Sequence, residues 1–144
     1  MKSVVVESIA RALFAPSLVI AVAILVKGYS DVGDGFTAGI VAALAVLLQY
    51  VAIGYRRVEQ ALPVRHALTV GLAGLLLTLV VTFAPVAWGD APLTHYPGPG
   101  EHVIHIGTLE LLTAVLFDVG VFLLVLGGAV AAVDAVARAE RSRS

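Results

Sequence analysis

Four stretches of this chain stay apolar for about twenty residues at a time, and that feature limits its fold more than any other. A helix rising about 1.5 Å per residue needs about 20 residues to cross about 30 Å of hydrocarbon. The stretches run from about Ser8 to Val26, Gly35 to Ile53, Ala67 to Val86 and Thr108 to Val133. Each is expected to be a helix, because an open strand edge in lipid would leave backbone groups without partners. Composition agrees: 60% of the 144 residues are hydrophobic and 13% are charged, against about a quarter charged in a soluble domain. The predicted fold is therefore all-α, an integral membrane bundle of four transmembrane helices. Residues 1–137 form one membrane domain and 138–144 a polar tail. Asp134 and Arg138, at i,i+4, carry the fourth helix briefly past the membrane.

The connections between the stretches set the orientation. Lys2, then Arg56, Arg57 and Arg65, then Arg138, Arg141 and Arg143 fall on one side of the predicted membrane, with Lys27 on the other. Basic residues favour the cytoplasmic side, so both termini are expected there. Trp88 and Tyr96 on one side, and Tyr50 and Tyr55 on the other, fit the preference of amphipathic rings for the interface. The apolar run after Lys2 has the outline of a signal peptide. Glu7 and Arg11 at its start, the lack of a cleavage site before Lys27 and three further apolar stretches favour a retained helix instead.

Several chemistries find no support. A net charge of -1 offers no basic face for nucleic acid. With no cysteine there is neither a thiolate metal site nor a cysteine nucleophile. Neither a G-x-S-x-G elbow nor a phosphate loop occurs, so no enzyme activity and no cofactor is expected. His95, His102 and His105 gather in one connector and read as solvated loop residues rather than zinc ligands.

The informative residues are ionisable groups inside apolar spans, each of which costs about 2.5–3.5 kcal/mol at mid-helix unless it meets protein, water or a partner charge. Asp118 interrupts the run Leu116-Phe117-Asp118-Val119-Gly120-Val121. It reads either as a carboxylate that carries a proton or cation, or as a structural anchor for a neighbouring helix. Glu110 lies two turns earlier, with Thr113 between them as a candidate hydroxyl link. About 12 Å of axial rise separates the two acids, too far to share a proton directly but close enough for a relay through water. Glu7 and Arg11 stand at i,i+4 with the acid first, the order that favours a local ion pair. Pro16 removes a backbone donor from the first helix.

Small residues mark expected helix contacts, because association in lipid depends on close packing. Gly35, Gly39, Ala42 and Ala43 share roughly one face of the second helix, Gly71 and Gly74 notch the third, and Thr113, Gly120 and Gly127 recur every seven residues on the fourth.

Two segments resemble a known family, the MnhB/MrpB-like subunits of multi-subunit sodium/proton antiporters, also called Mrp complexes. The first, Lys27-Gly28-Tyr29-Ser30-Asp31-Val32-Gly33-Asp34-Gly35-Phe36-Thr37-Ala38-Gly39, is similar to a family segment of a basic residue, Gly, His, Pro-Gly-Gly-Gly-Phe and a further Gly. Tyr29, Val32 and Asp34 stand where that segment has His, Pro and Gly, and Asp34 adds a carboxylate near the outer mouth. The second runs from Gly107-Thr108 to Phe117-Asp118-Val119-Gly120-Val121-Phe122, and Arg11 with Pro16 fits the family's first helix. The resemblance implies packing roles for Gly28, Gly33, Gly35, Phe36, Gly39, Phe117 and Gly120. It also implies a place in a prokaryotic plasma membrane, among the other antiporter subunits of a hetero-oligomeric complex, including ones similar to respiratory complex I. Such a complex exchanges Na+ for H+, and a B-type subunit would be an accessory part that could line a cation route.

Three functions stay open on the sequence. They are a cation/proton antiporter subunit, a purely structural subunit of a related membrane-bound hydrogenase or energy-converting complex, and a self-sufficient small exporter built as a homodimer.

Overall fold

The computed structural model describes residues 3–27, 34–89 and 103–143, and side chains of the last segment from 112 onward. Five α-helices account for most of this: α1 (Val4–Lys27), α2 (Asp34–Ile53), α3 (Tyr55–Ala61), α4 (Ala67–Ala87) and α5 (Val103–Arg143). No strand occurs among the described residues. Four of the helices are long and apolar enough to cross a membrane.

Local chemistry sets several helix ends. α1 carries Glu7 in its first turn and Lys27 in its last, and α2 opens on Asp34. Each charge opposes the partial charge of the helix terminus it sits on. α2 stops at Gly54, whose φ of 87° few residues with a side chain would adopt. α4 ends in a turn where the Trp88 and Gly89 amides donate to the carbonyls of Pro85 and Val86, each at 3.0 Å.

The basic connection over residues 54–66 is helical in part. α3 buries Val58 completely and exposes Arg56, Arg57, Glu59 and Gln60, and a single 3-10 turn (Val64–His66) then leads into α4. A seven-residue helix is too short for periodicity to announce. α5 is also longer than the predicted span. Its 41 residues cover about 60 Å, roughly twice the hydrocarbon thickness, so its polar C-terminal turns extend beyond the bilayer.

The spanning helices stand in an open row, in the order α1, α2, α5, α4. α2 and α5 form the middle, and α1 and α4 are the two edges. Gly35 abuts Asp118 and Tyr50 reaches Asp134, so α2 and α5 run in the same direction. Gly71 meets Gly127 and Gly74 meets Leu124, so α4 runs antiparallel to α5.

Glycine makes these approaches possible. A Cβ on Gly35 would strike the backbone carbonyl of Asp118, and one on Gly74 would come within 2.5 Å of the Leu124 amide. Gly39 packs against Val125, and Gly127 lies against the Gly71 amide. Backbone-to-backbone approach of this kind supplies van der Waals contact where lipid offers no hydrophobic drive.

Packing is uneven along the row. A core of Ala10, Val46, Tyr50, Ile53, Val58, Val64, Ala67 and Val130 gathers at the end that also holds Arg56, Arg57, Arg65 and Arg138, here called the basic end. The edges stay open. Of α1, Ala10 and Ala21 are buried, whereas Val5, Ile9, Leu13 and Val19 are exposed. Leu72, Leu76 and Phe83 are exposed on α4. Apolar faces of this extent belong against lipid or other membrane helices.

Candidate functional site

Polar groups in the row fall into two sets that are built differently. At the basic end they are paired. Glu7 accepts from Arg11 at 2.7 Å, as the i,i+4 spacing predicts, and from Arg57 of α3 at 2.5 Å. Gln49, only 4% exposed, donates its side-chain amide to the Ala10 carbonyl at 2.7 Å, which ties α2 to α1. The Tyr50 hydroxyl donates to Asp134 Oδ1 at 3.1 Å, and Arg138 Nε donates to Asp134 Oδ2 at 2.8 Å. Arg138 also lies 3.9 Å from Glu59 on α3.

Tyr50 lies near the end of α2, as expected of an interfacial ring, but it faces protein. It is buried, because a phenol that can reach a buried carboxylate gains more from that bond than from the headgroup region. Tyr55 stays partly exposed beneath the Arg141 guanidinium, 6.0 Å from the ring centroid. Trp88 is exposed at the opposite end of α4.

Asp118 represents the second kind. It is 7% exposed, and among the described residues its carboxyl group has neither a hydrogen bond nor an ion pair. A buried ionisable group without a partner is costly and rare. The first turn of α2 lies against it through Gly35, and the neighbouring Asp34 is close enough for its charge to act on Asp118. On the other flank Gly120, two residues along α5, faces Thr78 of α4. The Thr78 hydroxyl donates to the Gly74 carbonyl at 2.8 Å and Thr82 donates to the Thr78 carbonyl at 2.7 Å, so both hydroxyls are engaged within α4. Two acids from different helices thus come near each other where α2 begins, with Gly35 against the Asp118 backbone.

The remaining sequence candidates are spread over the row. Gly35, Gly39 and Gly120 lie in helix contacts within the chain, Phe117 is partly buried and Phe36 is exposed at 54%. Thr113 lies five residues before Asp118 on α5 and has a polar partner of its own. Gly28, Gly33, His95 and His102, together with the side chains of His105 and Glu110, lie outside the described residues. The sequence does not announce the closeness of Asp34 to Asp118, since Asp34 stands out there as a departure from a motif that adds a carboxylate near the outer mouth. The available signal is the Gly35 beside it, the residue that lets α2 approach α5.

Four apolar helices in an open row, with an unpaired carboxylate inside it, define a multi-pass membrane protein. The chain belongs to the family described as "domain related to MnhB subunit of Na+/H+ antiporter", whose model matches residues 5–131. It is 31% identical over 124 residues to an Alkalihalophilus pseudofirmus protein named as the B-type subunit of an Na(+)/H(+) antiporter, covering 86% of this chain and 85% of the relative. To the Bacillus subtilis protein of the same name it is 34% identical over 104 residues, covering 72% and 71%. A Rhizobium meliloti protein named as a probable A/B-type subunit of a K(+)/H(+) antiporter is 32% identical over 141 residues, which are 91% of this chain but 14% of that relative.

Proposed function

We propose that the chain is the B-type subunit of a multi-subunit monovalent cation/proton antiporter, and that Asp118 carries the exchange chemistry of this subunit. The observation behind this is a carboxylate buried at 7% exposure without a partner among the described residues, beside a second acid at the start of α2. A carboxylate that holds either a proton or a cation, but not both, couples the two by competition. Asp34 adds negative potential where α2 begins, which raises the local cation concentration. Glu110 and Thr113 precede Asp118 on α5 as candidate relay groups, and Glu7 with Arg11 braces α1. The chain's open edges suit it to a complex, with α1 and α4 meeting lipid or other antiporter subunits. Its role is in transport rather than in enzymatic turnover. Relatives named for Na+ and for K+ support a monovalent cation without selecting one. They also favour an antiporter over a hydrogenase as the parent complex.

The experiment is Asp118→Asn in the assembled complex, read as cation-driven antiport in everted vesicles. Neutralising the group removes its charge at nearly constant volume, so antiport falls by about tenfold or more while assembly stays normal. Full activity in a normally assembled complex would end the transport role of Asp118. A dismantled complex would make the residue an anchor.

A further inference from the structure

The basic end carries a second feature, of which the transport reading uses only the Glu7–Arg11 pair. A crevice of about 540 Å³ opens between α1, the C-terminal part of α2 and α3. Phe14, Ile53 and Leu62 give it an apolar lining, and Arg11, Arg57 and Gln49 a polar one. Both guanidinium groups are 57% exposed and bond the same Glu7 oxygen, so each keeps further N–H donors. Two guanidinium charges against one carboxylate leave the cluster with one positive charge. Gln49 is 4% exposed and uses one amide hydrogen on Ala10, and its carbonyl oxygen and second amide hydrogen have no partner among the described residues.

We propose that this crevice binds an anionic phospholipid of the surrounding leaflet, with its headgroup phosphate on Arg11 and Arg57 and its upper acyl chain against Phe14, Ile53 and Leu62. The lining follows the order of a lipid, since Arg11 precedes Phe14 as α1 enters the bilayer. Access is lateral, because α1 is an edge of the row and leaves Val5, Ile9 and Leu13 exposed. Basic crevices between spanning helices on the cytoplasmic side are suited to anionic headgroups, and the arginine distribution assigns this end to that side. The volume is within the usual range for a site that holds a small molecule or part of one. An acidic segment of another subunit would satisfy the arginines but would leave the apolar wall without purpose.

The test uses the affinity-tagged full chain, purified in mild detergent with the subunits that accompany it and titrated with phosphatidylglycerol or phosphatidylcholine under native mass spectrometry. The intact protein is expected to bind phosphatidylglycerol about tenfold more tightly, consistent with two arginines at a membrane surface. Arg11→Gln with Arg57→Gln abolishes that preference. Glu7→Gln provides a check of opposite sign. It frees donors on both guanidinium groups and raises the cluster from one positive charge to two, so phosphatidylglycerol retention rises several-fold. A merely structural cluster would give a looser α1 and no such gain. Equal binding of the two lipids, or a preference that survives in the folded double variant, overturns the proposal. Loss of accompanying subunits with lipid retention unchanged would make the crevice a subunit interface and overturn it too.

Discussion

Asp118 and Asp134 sit on one helix, both at 7% exposure, and the fold treats them in opposite ways. Asp134 is held by Tyr50 and Arg138, which satisfy both of its oxygens, and through Arg138 it reaches α3. Asp118 receives no such support among the described residues and has another acid for a neighbour. The difference separates two uses of a membrane carboxylate. A satisfied one fixes helix geometry. An unsatisfied one keeps a free energy of deprotonation and ion binding that a change of occupant can exploit, and persists where function demands it.

The sharpest way to break this comparison is to neutralise both acids separately. Asp118→Asn is expected to cost about tenfold or more in antiport, with little change in the yield of complex. Asp134→Ala should do the reverse. It strands a buried tyrosine hydroxyl and frees Arg138, at about 1–3 kcal/mol of stability. Antiport per assembled complex should stay near normal, and thermal denaturation followed by size-exclusion chromatography reads the loss. If Asp134→Ala instead abolished transport in an intact complex, the division between the two acids would collapse.

Glycine substitution tests the other half of the comparison, the approach of α2 to Asp118. A methyl group at Gly35 would strike the Asp118 carbonyl, a backbone atom that cannot turn aside, whereas one at Gly128 meets nothing within 4 Å. Gly35→Ala should therefore destabilise the α2–α5 contact by about 1–3 kcal/mol and disturb antiport, while Gly128→Ala leaves both near normal. Equal tolerance of the two changes would show that α2 does not press on Asp118.

The spans were legible because length and hydropathy alone decide them, and Asp118 stood out as a charge inside an apolar run. Their order in the row was not legible. Each spanning helix is apolar around most of its circumference, so no stripe marks the face that meets a neighbour. The glycines at 35, 39, 71, 74, 120 and 127 did mark contact faces, but a glycine does not name its partner. Asp34 illustrates the consequence. Its closeness to Asp118 depends on which helices lie side by side, a property of the assembled row rather than of any segment. The bond from Tyr50 to Asp134 was hidden for a related reason, since an aromatic near a span's end does not name the distant carboxylate it reaches.

The smallest predicted effect is also the most discriminating within the paired end. Tyr50→Phe deletes a single hydroxyl and keeps the ring that packs in the core with Ile53 and Val58. Asp134 then retains Arg138 at 2.8 Å, so the carboxylate is weakened rather than abandoned. The expected loss is about 1 kcal/mol, the net worth of one such hydrogen bond. A loss near that of Asp134→Ala would mean that the hydroxyl, and not the arginine, holds the carboxylate. An undetectable loss would mean that Arg138 suffices alone, which would place the link between α2 and α5 in their glycine contacts. Because Tyr50 and Gly35 lie at opposite ends of α2, comparing Tyr50→Phe with Gly35→Ala, and with the double variant, measures whether α2 is held at two independent points. Additive losses would confirm that independence. A double variant no worse than Gly35→Ala alone would show that the approach of α2 to Asp118 is what places Tyr50 on Asp134.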